Sequence, residues 1–436
     1  MELPIQFLEK MKNYLGCGYE AFIECFSRPP VKGIRVNPLK SDADTVKKVI
    51  ECVQSPFSPL SYYINADVKV GRMPLHAAGA FYAQEPSASS PVTVLNPMPG
   101  DKVLDMCAAP GGKSTQIAAL LRGEGLLWSN EAIRSRANIL LSNIERMGVR
   151  NAVVSSAYPD AIEKGLAGYF DKVLVDAPCS GEGMFRKNPE AVAEWSEEHV
   201  LSCAARQLAI LNCAAGCVRE GGVLVYSTCT FSLEENEGVA ADFLKGNPDF
   251  EQAAISVSFG RPGTDGKSLR ILPIDGGEGH FVAKFIRIGK NNQYPDTYRP
   301  DTVKDTGSAA ELYTQVFKNS VYGRIESVGE RFVILPAELP VLKNLGVIRA
   351  GVMLGESAGK RIEPHHALFM AHRPEECRNN INLEDNAPEL RQFLHGEEIP
   401  CDAKGYTGVS VSGITLGFGK ASGGMLKNKY PKGLRF

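Results

Sequence analysis

The chain has 436 residues, which at about 150 residues per domain indicates two or three domains. Hydrophobic residues make up 44% and charged residues 22%, values that exclude a disordered or collagen-like protein. No apolar run approaches the roughly 18 residues of a membrane span, and the first residues lack the pattern of a signal peptide. Because the net charge is -2, any surface for nucleic acid must be local.

The eleven cysteines are scattered along the chain without repeated spacing. They predict reduced thiols in a cytoplasmic protein rather than a disulfide scaffold. Cys203, Cys213 and Cys217 fall on one predicted helix, and we interpret them as core residues. We expect no metal site, and we expect His365 and His366 to form a surface pair.

The first part of the chain, residues 1–85, consists of short helical and strand-like pieces interrupted by prolines. Between residues 86 and 290, apolar strands alternate with helices. Strands are predicted over 103–106, 126–131, 151–157, 171–179, 221–230 and 280–288, and helices over 114–121, 132–147, 197–218 and 234–244. Apolar strands separated by helices predict an α/β fold of the Rossmann type, whose parallel sheet binds ligands at the carboxyl ends of its strands.

The remainder of the chain differs in composition. Residues 291–310 are polar and contain prolines, which predicts a linker. Residues 311–436 alternate apolar and polar positions and contain many glycines. This pattern predicts a compact, β-rich C-terminal module.

A glycine-rich turn, DMCAAPGGKST at 105–115, follows the first predicted strand and opens a helix. Glycines allow a tight turn and a close approach to a ligand, and the free N–H groups of the helix favour a polar or anionic group. The turn matches neither the GxGxxG pattern nor a Walker loop. Taken alone, it indicates only a change of chain direction.

An acidic residue, Glu131, ends the second predicted strand. An acid at this position accepts hydrogen bonds from ribose hydroxyls, although it could equally stabilise the start of the next helix. Together with the glycine-rich turn, it predicts a cofactor that contains a nucleoside. Ala157 and Tyr158 stand at the end of the third strand, where an acid would contact adenine, so that contact is left open.

Two cysteines follow neighbouring strands, Cys179 in DAPCSGEG and Cys229 in YSTCT. Carbon 5 of a pyrimidine becomes nucleophilic only after a group adds to carbon 6, and a thiolate suits that addition. Enzymes that methylate exocyclic amines have an Asp or Asn before two prolines and an aromatic residue, whereas here Asp176 precedes Ala177, Pro178 and Cys179. The pattern predicts carbon methylation with Asp176 hydrogen-bonded to the base. Either cysteine could attack carbon 6.

Three motifs carry a family resemblance: CAAPGGK, DAPCSGEG, and STCT followed by EENE. In these motifs and their order the chain resembles the Nop2/Sun family of RNA 5-methylcytosine methyltransferases. RVNPLK at 35–40 and YAQEPSA at 82–88 are similar to segments that precede the catalytic core of that family. The C-terminal third looks like the PUA-like RNA-binding appendage of the bacterial RsmF/YebU-type branch, which modifies 16S ribosomal RNA.

The resemblance implies a class I S-adenosylmethionine-dependent methyltransferase core over residues 86–290. It implies that Cys229 attacks carbon 6 and that Cys179 assists release of the methylated product. It further implies that Asp176 faces both cofactor and base and that Glu131 contacts the ribose. The residues that would wrap S-adenosylmethionine are Cys107, Ala108, Ala109, Pro110, Gly111, Gly112 and Lys113.

Basic residues predict where RNA binds, since backbone contacts supply much of the affinity. The target base must be flipped out or already single-stranded to reach the pocket. The C-terminal lysines form a local excess of positive charge, although a solvated tail has the same composition. Our candidates for RNA contact are Arg35, Asn37, Arg186, Lys187, Lys427, Lys429 and Lys432.

The sequence therefore predicts a cytoplasmic, monomeric enzyme that methylates carbon 5 of cytosine in RNA. The expected partner is 16S rRNA or the small ribosomal subunit, and no membrane is expected. Three alternatives stay open: a tRNA substrate, methylation of an exocyclic amine, and an RNA-binding assembly factor with a vestigial core. The identity of the methylated nucleoside and the binding of S-adenosylmethionine distinguish the last two.

Overall fold

A computed structural model describes residues 3–291, 293–299, 306–359 and 361–436. Within these residues, the largest sheet has ten strands. Its middle consists of five parallel strands, and along the chain the first lies between the second and the fourth. These strands are Lys102–Asp105, Leu126–Asn130, Ala152–Ser155, Phe170–Asp176 and Val218–Thr228. The predicted α/β fold of the methyltransferase type is confirmed.

Antiparallel strands complete one side of this sheet. His280–Arg287 pairs with the fifth parallel strand and also with Phe250–Ala253. Leu269–Ile271 and Arg261–Pro262 continue outward from it. This side of the sheet is therefore built from the end of the catalytic region.

Helices connect the parallel strands and cover both faces of the sheet. The connecting helices are Gly112–Leu121, Arg134–Arg146, Pro159–Leu166, Pro189–Glu194 and Glu197–Cys217, while Ser90–Leu95 precedes the first parallel strand and Val239–Gly246 follows the fifth. Side chains such as Leu104, Val173 and Leu224 have no exposed surface, and each contributes roughly 1.5–3 kcal/mol on burial. Burial from both sides explains why these strands read as continuous apolar runs.

The strand order places the ligand site. Neighbouring helices leave the sheet on opposite faces on either side of the first strand, and this arrangement opens a crevice at the carboxyl ends. Asp105, Asn130 and Asp176 end strands at this edge, and Thr228 ends the fifth strand. The three segments that carry motifs therefore converge there.

One helix differs from its prediction. Instead of a regular helix over 234–244, a π-helical turn covers Glu234–Gly238 and the α-helix continues over Val239–Gly246. π-helical turns are rare and often lie at functional sites. This one follows directly after the loop that carries Cys229.

The N-terminal segment packs against the catalytic loops. It contains the helices Ile5–Leu15, Tyr19–Glu24, Ala43–Lys47 and Pro74–Ala77 and a sheet of Lys32–Val36, Cys52–Gln54, Ser61–Ile64 and Phe81–Ala83. Phe7 and Phe22 share an aromatic cluster with Phe185, Trp195 and Phe231. The last three residues follow the fourth and fifth parallel strands, so the N-terminal helices support both loops.

The C-terminal region is rich in β-structure, as predicted, and contains two sheets. After the helix Gly307–Val316, the first sheet contains Arg324–Val328, Arg331–Leu335, Val352–Ala358 and Arg361–Pro364. The second sheet contains Asn380–Leu383, Ile399–Pro400, Gly405–Val411, Ile414–Ser422 and Met425–Asn428. The helices His366–Met370 and Pro388–His395 lie beside these sheets.

The C-terminal region is also joined to the rest of the protein. Val347–Ala350 pairs antiparallel with Ala152–Ser155 and extends the central sheet at its far edge. The second C-terminal sheet shares an apolar core with the N-terminal sheet, in which Ile34 and Phe81 pack with Leu390 and other residues. The C-terminal region thus contacts both the central sheet and the N-terminal sheet.

The predicted linker, residues 291–310, is partly structured. Its positions 292 and 300–305 lie outside the described residues. Asn291 donates to the carbonyls of Gly216 and Val218, and Thr297 pairs with Pro340. The Asn291 contacts attach the beginning of the segment to the catalytic core, and the Thr297 bridge attaches it to the C-terminal region.

The helix Glu197–Cys217 and the pair His365–His366 differ in how well they match the expectations from the sequence. Among the described helices, Glu197–Cys217 is long and apolar enough to span a membrane, but Leu211 and Ala214 pack in the core of the sheet. It is therefore a core helix; its Cys203 and Cys217 are buried as predicted, whereas Cys213 is only partly buried. His365 and His366 are half-buried rather than a fully exposed surface pair. The His366 ring packs against Tyr430, and burial lowers its pKa to about 3.

Candidate active site

The glycine-rich turn lies at the carboxyl edge of the sheet and is confined on both sides. Gly111 has a φ of 115°, and a Cβ there would lie 3.2 Å from Leu140 Cδ1. A Cβ on Gly112 would lie 3.0 Å from Gln84 Nε2 of the N-terminal segment. Both glycines thus allow the turn to sit close to its neighbours, and the helix that follows presents its free N–H groups.

Glu131 lies beside this turn and is 5% exposed. Its Oε1 accepts a hydrogen bond from the Ile133 amide at 3.0 Å, and its Oε2 lies 3.2 Å from a nitrogen of Arg136. The carboxylate therefore stabilises the start of the next helix. Tyr158 is 74% exposed, so its side chain does not replace the missing third acid.

Asp105, which sequence reasoning did not single out, is buried beneath the turn. Its Oδ2 accepts a hydrogen bond from Ser114 Oγ at 2.7 Å. Its Oδ1 has no hydrogen-bond partner among the described residues. Burial, opposed only in part by the Ser114 hydrogen bond, raises the pKa of this carboxyl to about 7. The sequence shows that an acid ends this strand, but it does not show that the side chain is fully buried.

The two cysteines of the motifs meet. Cys179 Sγ and Cys229 Sγ are 3.3 Å apart, and both residues are partly exposed. Their hydrogen bond, together with burial, raises the pKa of the Cys179 thiol. Neighbouring parallel strands end side by side, so the contact follows from the positions of both cysteines just beyond strand ends.

Asp176 and Lys113 form an ion pair beside the thiols. Lys113 Nζ is 2.6 Å from Asp176 Oδ2, and Ser227 Oγ donates to Asp176 Oδ1 at 2.7 Å. Burial would lower the pKa of Lys113, but the charges of Asp176 and Cys229 outweigh it and raise the pKa. The site thus combines an ammonium, a carboxylate and two thiols, groups suited to nucleophilic addition to an electron-poor ring.

Two buried acids that sequence reasoning did not assign hold the cysteine loops. Glu182 is hydrogen-bonded to residues that follow Cys229, and Glu235 is hydrogen-bonded to the amide of Ser180. Both acids lie within the quoted motifs, GEG and EENE. Sequence alone does not distinguish a buried acid from an exposed one, so only the contacts reveal this arrangement.

The predictions that Arg35 and Asn37 contact RNA are wrong, because each is 1% exposed. The Arg35 guanidinium donates to the Gly112 carbonyl and to Thr115 Oγ1, and so supports the glycine-rich turn. The Asn37 amide donates to the Gly79 carbonyl at 2.8 Å. Asn37 thus connects two parts of the N-terminal segment, and Arg35 connects that segment to the catalytic core.

The other predicted RNA contacts differ in exposure. The Arg186 side chain is 6% exposed and lies 3.4 Å from Glu278, so it is not free for a phosphate. Lys187 is partly exposed; burial lowers its pKa, opposed by Glu85 and Glu278. Lys427, on the last strand of the second C-terminal sheet, is exposed. Beyond that strand, Lys429 pairs with Glu363 and Lys432 is exposed.

Family comparisons match the chain in four adjoining parts. Residues 92–286 match the profile of 16S rRNA methyltransferase RsmB/F. Residues 3–86 match the N-terminal domain of 16S rRNA methyltransferase RsmF, and residues 311–371 match its first C-terminal domain. Residues 380–436 match the PUA domain of methyltransferase RsmF.

Individual proteins agree with these matches. The ribosomal RNA small subunit methyltransferase F of Vibrio campbellii is 33% identical, over 99% of this chain and 97% of its own length. The protein of the same name from Shewanella piezotolerans is 33% identical, over 95% of this chain and 93% of its own.

Solved structures support the same fold. A methyltransferase homolog protein from Pyrococcus horikoshii is 26% identical with a TM-score of 0.56, over 65% of this chain and 100% of its own. NSun6 from Pyrococcus horikoshii, solved with SFG, has a TM-score of 0.59 at 24% identity, over 66% of this chain and 99% of its own, and supports the fold alone. The chain therefore belongs to the RsmB/F family of 16S rRNA methyltransferases and is an S-adenosylmethionine-dependent RNA methyltransferase.

Proposed function

We propose that the protein is a cytoplasmic monomer that methylates carbon 5 of a cytosine in 16S ribosomal RNA. The observation that carries this proposal is the 3.3 Å contact between Cys179 Sγ and Cys229 Sγ beside the Asp176–Lys113 ion pair. An exocyclic amine already has a lone pair and needs no thiol. A ring carbon needs a nucleophile at its neighbour, so paired thiols support carbon methylation.

The glycine-rich turn and its neighbouring acids fit S-adenosylmethionine. The seven residues from Cys107 to Lys113 provide a backbone cradle, and Glu131 is placed for ribose hydroxyls. The unpartnered Oδ1 of Asp105 is a free hydrogen-bond acceptor beneath the turn, and the carboxylate of Asp176 supplies negative charge for a cationic ligand. When bound, S-adenosylmethionine supplies an electrophilic methyl group.

Cys229, by the family resemblance, acts as the nucleophile. Its thiolate bonds to carbon 6 of cytosine, and the ring electrons move toward nitrogen 3, which gains a proton. Asp176 accepts hydrogen bonds from the protonated ring nitrogen and the amino group, which favours this adduct. The Lys113 ammonium keeps the charge of Asp176 balanced, so the carboxylate stays in place without repelling the thiolate.

Cys179 completes the cycle after carbon 5 has been methylated. As a thiolate it removes the proton of carbon 5, and the electron pair of that C–H bond forms the carbon 5–carbon 6 double bond. As this double bond forms, the bond between carbon 6 and Cys229 Sγ breaks with its electron pair on sulfur. Nitrogen 3 gives its proton back to solvent, and the Cys229 thiolate is restored.

RNA reaches the site as an unpaired or flipped base. We propose that Lys187 lies near the backbone beside this base and that the C-terminal lysines bind more distant phosphates. Lys427 stands directly opposite Lys420 across two strands, and the Glu363 carboxylate interacts with both lysines and with Lys429, so positive charge exceeds negative charge there. Lys429 and Lys432 extend the same positively charged end of the chain.

Nucleoside analysis of the methylated product tests the proposal. We expect 5-methylcytidine, loss of turnover in Cys229→Ser, and a trapped covalent protein–RNA complex in Cys179→Ala. Methylation of an exocyclic amine, or full activity in both variants, contradicts the mechanism. Bisulfite mapping of ribosomal RNA from cells that lack the protein identifies the target, and tRNA as the only methylated RNA contradicts the substrate.

A further inference from the structure

Glu182 lies three positions after Cys179 but binds the loop that carries Cys229. Its side chain is buried and its two oxygens accept four hydrogen bonds. Three of them come from the residues just after Cys229, and the fourth comes from an indole. The donors are Thr230 Oγ1 at 2.7 Å, the Phe231 amide at 2.7 Å, Ser232 Oγ at 2.6 Å and Trp195 Nε1 at 2.8 Å.

Glu235 makes the opposite connection. It lies on the π-helical turn after Cys229, and its Oε2 accepts the amide of Ser180, the residue after Cys179, at 3.0 Å. The same oxygen accepts Gln207 Nε2 at 2.7 Å. Ser180 Oγ and Thr230 Oγ1 also lie 2.9 Å apart, so the two loops are joined directly.

Neither carboxyl group reaches the substrate side. Glu182 is 1% exposed and Glu235 is 0% exposed. A buried carboxylate costs several kcal/mol of solvation unless hydrogen bonds replace the water, and Glu182 has a full set of donors. Because both carboxyl groups are buried away from the crevice, they act on the reaction through the residues that they bind.

We propose that Glu182 and Glu235 are positioning residues, a reciprocal carboxylate clamp that fixes the spacing of the Cys179 and Cys229 thiols. The proposal rests on the proposed function, because that function makes these thiols the reacting groups. Each acid is carried by the segment of one cysteine and holds the loop of the other. A third contact, from the Gly183 amide to the Cys229 carbonyl at 2.8 Å, lies beside the clamp.

The two acids differ in what an amide could replace. A glutamine at 182 offers one acceptor oxygen and turns an NH₂ group toward donors, so about two of the four hydrogen bonds are lost. At 235, both hydrogen bonds end on Oε2, and Oε1 has no partner among the described residues. Glu235→Gln can keep both bonds and is the matched control, whereas Glu235→Ala loses them.

Oxidation of the full-length protein by diamide measures the thiol spacing without RNA. Two thiols lose two hydrogens and form one S–S bond, and diamide takes up both hydrogens as its hydrazine. Mass spectrometry follows the linked Cys179 and Cys229 peptides, and iodoacetamide measures each thiol separately. A merely unstable variant would raise alkylation at both thiols, whereas displaced loops slow only disulfide formation.

We expect Glu182→Gln and Glu235→Ala to slow disulfide formation and turnover roughly 10- to 100-fold, the loss typical of reacting groups displaced by about 1 Å. Glu235→Gln should stay within about threefold of the wild type, since its bonds persist. Wild-type disulfide rates in Glu182→Gln and Glu235→Ala would overturn the clamp.

If Glu182→Gln does not fold, Thr230→Val removes only the hydroxyl shared by Glu182 and Ser180. This variant should also slow disulfide formation, and an unchanged rate counts against the clamp. If the wild-type protein methylates an exocyclic amine, the proposed function is wrong, but that result does not test the clamp. The diamide rates would still decide whether the clamp exists.

Discussion

The buried carboxyl of Asp105 makes the stability of the catalytic sheet depend on pH. Its pKa is about 7 in the folded protein against 3.8 as the ordinary value. Well below about pH 4, Asp105 is protonated in both the folded and the unfolded protein, so its titration does not change the free energy of unfolding. As pH rises the unfolded chain loses the proton first, so stability falls until the folded pKa is passed.

The size of this effect follows from the two pKa values. At about 1.4 kcal/mol per pH unit, the full loss is roughly 4 kcal/mol, of which about 3 kcal/mol falls between pH 5 and pH 8. Asp105→Asn removes the titration. It also buries an amide with unpaired N–H groups, which costs about 1–3 kcal/mol at every pH. The difference between the two pH values, rather than either value alone, is therefore the quantity to compare.

Urea unfolding at pH 5 and pH 8, followed by tryptophan fluorescence, measures that difference. Trp128 is fully buried and pairs with Leu104 on the neighbouring strand, so its emission reports on the sheet around Asp105. Asp160→Asn, at an exposed ion pair with Lys164, is the control and should leave the difference unchanged. An Asp105→Asn protein with the wild-type pH dependence would refute the reasoning.

Three further predictions concern catalysis and RNA binding. Lys113→Met leaves Asp176 without its cation, and we expect kcat to fall roughly 100-fold, about 3 kcal/mol, in a methylation assay; an unchanged kcat contradicts a role for the pair. A Cβ on Gly183 would lie 2.7 Å from the Cys229 carbonyl oxygen, so Gly183→Ala should lower turnover at least tenfold while circular dichroism shows a folded protein. Removing three C-terminal charges should reduce the slope of log K against log salt by about 2–3 in filter binding, and an unaltered slope would place the RNA elsewhere. The substituted residues are Lys427, Lys429 and Lys432, each to Gln.

The strands and the meeting of the two cysteines could be predicted from sequence. A strand buried on both faces must be apolar throughout, and residues just past the ends of neighbouring parallel strands must be close. Cys179 and Cys229 occupy such positions. Their 3.3 Å contact is therefore a consequence of topology that periodicity already implies.

Contacts between distant segments could not be predicted in the same way. Arg35 looks like a free cation in the sequence, yet it is buried against Thr115. Val347–Ala350 reads as one more strand of a β-rich region, and nothing local indicates that Ala152–Ser155 is its partner. Charge and periodicity describe a segment, whereas burial depends on what arrives to cover it.

The strand Val347–Ala350 has a consequence for how the chain is made. Until it leaves the ribosome, the hydrogen-bonding groups along the far side of Ala152–Ser155 stay unpaired and can attract strands from other chains. A fragment that stops at the end of the catalytic region keeps this unpaired strand edge permanently. Such a fragment should aggregate during expression, and nascent chains pass through the same vulnerable interval before synthesis is complete.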